Sequence, residues 1–297
     1  MKIIKLFLLL SLMLCADFKL DIPQNIDVTE LERIVKNGWD EDNKTLNDLI
    51  VSNAERVMPE ILEKIKKPIL KGIVTKEDTE PLPIMQLVRR DYWFIVAYGK
   101  YLEYKGHRSE SLNLYLTGLE GLKNIDDESL LSLIYHLSIE MILVDAIEQN
   151  IIKNNNFEKI YLQEKLEKLL ILDTSILCKA LDNERLTMAK LLSRDVTITL
   201  KIRKYIGKIS QEYNKKLCRL KTKKDFLNFE KELNIVQNKV NFAFTNWVDK
   251  KIIPSLNLNR DELIAVYIFL QAPPRSIFIQ EVRESIKRNK KFLESLT

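Results

Sequence analysis

Few side chains in this sequence have the type and spacing that chemistry needs. His107 and His136 are its two imidazoles. His136 and Glu140 stand four apart, so on a helix they share a face. Two protein ligands fall short of the set that holds a metal tightly, and the expected role is a hydrogen-bonded pair inside a bundle. HExxH, GxSxG, GxGxxG and GxxxxGK do not occur, so the spacings used by zinc peptidases, nucleophile-elbow hydrolases, dinucleotide folds and phosphate loops are missing. No metal site, cofactor or catalytic residue is expected. What remains are charges set into apolar stretches: Asp91 beside Arg89 and Arg90, Asp145 with Glu148, Glu184-Arg185, and Arg194-Asp195. A buried, unpaired charge costs several kcal/mol, so these groups should form ion pairs or line a wet groove. Were Glu140, Asp145 and Glu184 to share an open pocket, a glycosidase-like carboxylate pair would follow.

The N-terminus has the three-part plan of a secretory signal. Lys2 and Lys5 precede a nine-residue apolar run, Leu6–Leu14, broken only by Ser11, and Cys15, Ala16 and Asp17 follow. A spanning helix needs about 20 apolar residues, so residues 1–16 read as a leader rather than an anchor. Cys15 directly after the apolar run resembles a bacterial lipoprotein leader, with Leu12 three positions before it; that resemblance implies a lipidated Cys15. Leu14 departs from the small residue usual there, and cleavage after Ala16 is the alternative. Export exposes the other two cysteines, Cys178 and Cys218, to oxidising conditions, where they either form one disulfide or remain buried thiols. No CxxC or Cys/His cluster occurs.

Charge is nearly balanced. The net +5 includes Lys2 and Lys5; without them 45 basic face 42 acidic residues, too small an excess to imply nucleic acid. One local asymmetry stands out. Between 201 and 224 lie Lys201, Arg203, Lys204, Lys208, Lys215, Lys216, Arg219, Lys221, Lys223 and Lys224, against Glu212 alone. A solvated helix end accounts for such a run; so does a docking patch for an anionic partner. Nucleic acid conflicts with export and lacks interleaved stacking aromatics.

These groups must be carried by helices. Seven glycines and eight prolines in 297 residues suit helices far better than sheets. Residues 17–26 read as a linker. Apolar spacing predicts helices after Thr29, from Asn43 with a kink or break at Pro59, and then three apolar helices between Pro83 and Lys153. Further helices are expected over 157–171, from Ser175 as far as Ile206, over 225–253, after Asn259, and over 276–296. Val196, Ile198, Leu200 and Ile202 alternate like a strand, but a lone strand has no partner, and helix is expected there.

The hairpin formed by the first two central helices resembles a tetratricopeptide unit. Gly99 and Gly106 have the unit's separation, and Tyr115 falls where its second helix carries an aromatic. Ser111 and Gly118 stand at its close-packing alanine positions. The next helix does not repeat the pattern, whose period is about 34 residues, so the resemblance implies hairpin packing and no array.

The expectation is an all-α chain, a helical bundle or irregular array of helical hairpins. It has a leader over 1–16, a linker over 17–26 and a single body over 27–297, with any sub-boundary near 71–83. Its expected role is an exported, non-enzymatic envelope protein that binds a protein or envelope component, with membrane association through a lipidated N-terminus. The alternatives are an envelope hydrolase using a carboxylate pair and, if the leader is not a signal, a cytoplasmic nucleic-acid-associated protein.

Overall fold

The computed structural model describes residues 26, 28–39, 41, 44–67, 81–125, 130–152, 159–194, 199–250, 258–270 and 275–296. Among them the chain is all-α, with eleven helices: α1 Val28–Asn37, α2 Lys44–Ile65, α3 Pro81–Tyr104, α4 Arg108–Leu122, α5 Leu130–Ile152, α6 Lys159–Leu169, α7 Ser175–Arg194, α8 Leu200–Arg219, α9 Lys223–Lys250, α10 Arg260–Leu270 and α11 Arg275–Glu294. The leader and Cys15 lie outside the described residues. Among the described residues no helix is long and apolar enough to cross a membrane.

The chain forms two compact units rather than one body. The first comprises residues up to Asp126, Ile134–Leu172 and Lys287–Thr297; the second comprises Asp127–Leu133 and Asp173–Ile286. Both sides of the 71–83 connector belong to the first unit, so the division does not fall there.

In the first unit α3 is the centre. Tyr92, Trp93, Phe94, Ile95, Val96 and Ala97 are all buried, as an all-round apolar helix requires. Pro81 and Pro83 sit in its first turn, where missing N–H groups go unneeded. Gly106 (φ +86°) ends it. The His107 N–H donates to the Leu102 carbonyl (2.8 Å) and the Gly106 N–H to that of Glu103 (3.1 Å), the paired bonds of a Schellman cap. His107 holds the N-cap position of α4 without a capping bond from its side chain, which meets Glu110 instead. A Cβ on Gly99 would lie 2.6 Å from Tyr115 Cζ, so this glycine makes room for the Tyr115 ring. Gly118 and Gly121 make room in the same way for the side chains of Leu143 and Ile65; it is side chains, not a neighbouring backbone, that approach there.

α2 runs through Pro59 without interruption. The expected long helix from Ser175 to Ile206 is instead two helices. Thr199, in extended conformation, caps α8 by accepting from the Ile202 N–H. The β-branched run Val196-Thr197-Ile198-Thr199 disfavours helix at that point.

The second unit packs α8 against α7 and α10. Ile202, Ile206 and Ala265 form one cluster; Val240, Ala243, Leu263 and Leu270 form another. Tyr213 meets Phe229 and Phe269 edge-on or tilted, and Phe244 stacks on Tyr267 at 3.8 Å. Reciprocal caps begin two of its helices. Asn259 and Glu262 exchange bonds at α10, and Thr222 and Asp225 do so at α9. Three backbone and hydroxyl donors at Thr222 and Lys221 hold the Asp225 carboxyl below its ordinary value.

Candidate functional site

In the first unit the polar centre lies where α3 turns into α4. Lys100 and Glu103 are one turn apart near the end of α3; Lys100 is buried, to 4 % exposure, and the Glu103 side chain is 9 % exposed. Burying such a pair is expensive unless every remaining lone pair and N–H is met. Here it is. One carboxylate oxygen of Glu103 accepts from Ser111 Oγ (3.2 Å), Tyr115 Oη (3.0 Å) and Asn150 Nδ2 (3.1 Å). The other accepts from Lys100 Nζ (3.4 Å), which also donates to Gln149 Oε1 (3.0 Å). Asn150 donates further to the Arg108 carbonyl at 3.2 Å, tying α5 to the start of α4. Burial, with the Glu103 carboxylate beside it, pushes the Tyr115 hydroxyl well above the ordinary phenol range, so it stays a donor.

A cleft of about 350 Å³ opens over this pair. Lys100 and Glu103 form its floor. Asn37 at the end of α1, with Gly38 and Trp39 after it, forms one wall, and Tyr104, Arg108 and Gln149 complete the lining. Gly38 adopts φ +91°, a conformation glycine accepts freely, and so turns the chain from α1 to Trp39. Trp39 packs on Tyr101 with ring centroids 5.0 Å apart. A hydrogen bond to Glu41 raises the Tyr104 hydroxyl above its ordinary value. The lining is rich in N–H donors, from Lys100, Arg108, Asn37, Gln149 and the Trp39 indole, while the Glu103 oxygens are already engaged. Such a surface selects an acceptor-rich ligand, and the volume lies at the lower end of small-molecule sites.

The charges singled out from the sequence resolve differently. Asp91 pairs with Lys64 of α2 (2.7 Å); Arg90 donates to the Ile26 carbonyl and Arg89 lies over the Trp93 ring. Asp145 and Glu148 both face Arg288. Glu140 is 1 % exposed and accepts from the Ile171 N–H (2.9 Å) and Asn289 Nδ2 (2.5 Å). His136 Nε2 stands 3.8 Å from Glu140 Oε2, longer than a hydrogen bond, and the bonds to Glu140 come from Ile171 and Asn289. A sealed Glu140 cannot share an open pocket with Asp145, and the side chain of Glu184 lies outside the described residues. Among the described residues no group of three His, Cys, Asp or Glu side chains could hold a metal ion.

In the second unit Cys178 on α7 and Cys218 on α8 are joined as a disulfide, their Cα atoms 5.7 Å apart. Of the basic run, Lys201, Lys204, Lys208, Lys215 and Arg219 share one outward face of α8, within about 60° of arc at 100° per residue, and all five are exposed. Lys216, Lys221 and Lys224 are exposed beside them; the side chain of Lys223 lies outside the described residues. Two residues depart from the expected patch. Lys201 is paired with Asp261 at 3.2 Å, and Arg203 is half-buried away from that face. The opposite face, Ile202, Ile206, Ser210, Asn214 and Leu217, is buried.

Sequence reasoning overlooked Lys100, Glu103 and Gln149. The available signal was a Lys and a Glu three apart beside Gly99 and Tyr98 on a largely apolar helix, which near a helix end resembles an ordinary solvated pair. Compared with family models, curated proteins and solved structures, the chain matches none.

Proposed function

We propose that the protein is an exported, non-enzymatic binding protein of the bacterial cell envelope whose first unit captures a small, acceptor-rich ligand of the organic-carboxylate type. The carrying observation is the buried Lys100–Glu103 pair under a donor-rich cleft. A structural pair needs no opening above it, and a general base needs a lone pair free to take a proton. Glu103 already accepts four donors, which favours holding a ligand over transforming it. Export is supported by the leader pattern of residues 1–16 and by the pairing of Cys178 with Cys218, since disulfides persist in oxidising compartments. Lipidation of Cys15 would keep the protein at the membrane.

Two measurements test this reading. Mass analysis of the N-terminus from the native host should find loss of residues 1–14 or 1–16; an intact Met1 on a cytosolic product contradicts export. Calorimetric titration with citrate should give saturable binding that Gln149→Leu weakens several-fold, while glucose gives none. Heat-silent mixing with citrate, inorganic phosphate and acetate alike contradicts the ligand class.

A further inference from the structure

The second unit has an outward surface of another kind. On α9 the inward side is fixed in the core by Phe226, Val240 and Ala243, all buried. Its outward side carries Leu227, Ile235 and Phe242, exposed to 47 %, 56 % and 68 %. At 100° per residue these fall within a sector of about 80°, over about 22 Å of helix. Lys224 and Lys231 lie inside the same sector, and no acidic residue interrupts it between 224 and 242. The preceding corner adds Arg219 and Lys221, both exposed.

We propose that this stripe of α9 docks the second unit onto an anionic lipid surface, the apolar side chains entering the headgroup boundary and the lysines pairing with lipid phosphates. Interleaved lysine and large apolar residues on one exposed helical face are what interfacial binding uses. A second copy of the chain is disfavoured on two counts. Three side chains along one helix cover far less than the roughly 800 Å² per partner of a stable interface, and a symmetric contact brings lysine-bearing stripes together. The inference does not rest on the cleft, and either can fail alone.

The test is vesicle co-sedimentation of the full chain carrying Cys15→Ser, so that no acyl group contributes, with neutral phosphatidylcholine vesicles and with vesicles one quarter phosphatidylglycerol. The parent should partition preferentially to the anionic vesicles. Ile235→Asp/Phe242→Asp should lower that partition at least tenfold, and Lys224→Glu/Lys231→Glu should abolish the preference for anionic over neutral vesicles. Both changes are on exposed positions, and unchanged circular dichroism separates lost docking from lost fold. Three outcomes overturn the proposal: equal partition of parent and variants, a loss produced by Lys215→Glu/Lys216→Glu/Arg219→Glu while the α9 variants bind normally, or sedimentation of the parent as a dimer that Phe242→Asp disperses.

Discussion

In the first unit charged and amide side chains lie inside. Lys100, Glu103 and Asn150 are bonded together where α3, α4 and α5 meet, Asp91 is held by Lys64, and Glu140 is held by Asn289 and a backbone N–H. In the second unit the lysines lie outside on α8 and α9, the core clusters are aliphatic and aromatic, and a covalent bond between α7 and α8 fastens it. The two solutions place specificity differently. Buried polar groups fix one arrangement of helices and shape a cleft, since each must find its partner or forfeit its desolvation energy. Surface charge leaves the interior free to pack and acts at a distance on whatever approaches.

The contrast can be broken most severely at Glu103. Glu103→Ala strands Lys100 as an uncompensated buried charge and should destabilise the first unit by about 3–5 kcal/mol, read by urea unfolding; a loss within error would show that the pair is not buried as described. Next comes the covalent fastening. Cys178→Ser/Cys218→Ser opens a loop closed across 40 residues and should cost the second unit about 2–4 kcal/mol, with the same shift produced by reductant in the parent and none in the variant. Gly99→Ala presses a methyl group against the Tyr115 ring and should cost about 1–3 kcal/mol as overpacking, whereas alanine at Ser111, which merely removes one of four donors to Glu103, should cost about 1 kcal/mol.

Alkaline pH should separate the units more gently. The Tyr115 and Tyr92 hydroxyls are both raised by burial, so the folded state holds their protons more tightly than the unfolded chain. That contribution is complete below the unfolded value of about 10 and is lost as pH rises above it. Thermal melts between pH 8 and 11 should show the first unit weakening above about pH 10, with a flatter profile in Tyr115→Phe; identical profiles would contradict Tyr115 as a contributor.

Much of the helical layout was legible because apolar spacing by threes and fours survives in single segments, as along Ile84–Leu102, and because Gly38 and Gly106 mark stops. The break before α8 was misjudged because Ile198, Ile202, Tyr205 and Ile209 continue a helical period across Thr199, whose capping role depends on backbone geometry. Ion-pair partners were largely illegible. Asp91 meets Lys64 and Asp145 meets Arg288, partners distant along the chain that only folding brings close. The same holds for the cleft, whose lining comes from four separate segments. The crossings between units after 126, 133, 172 and 286 left no trace in composition, whereas the proline-flanked, charged stretch at 71–83 resembled a boundary and lies within the first unit.

The cleft is tested most directly through Trp39, at its wall. Its emission should change saturably as citrate is added to the full chain, the response should vanish in Trp39→Phe, and Lys100→Met should weaken it at least several-fold while the buried Trp93 reports an intact fold. A citrate response that survives Lys100→Met unchanged, or no response in the parent, would contradict a ligand site built on the Lys100–Glu103 floor.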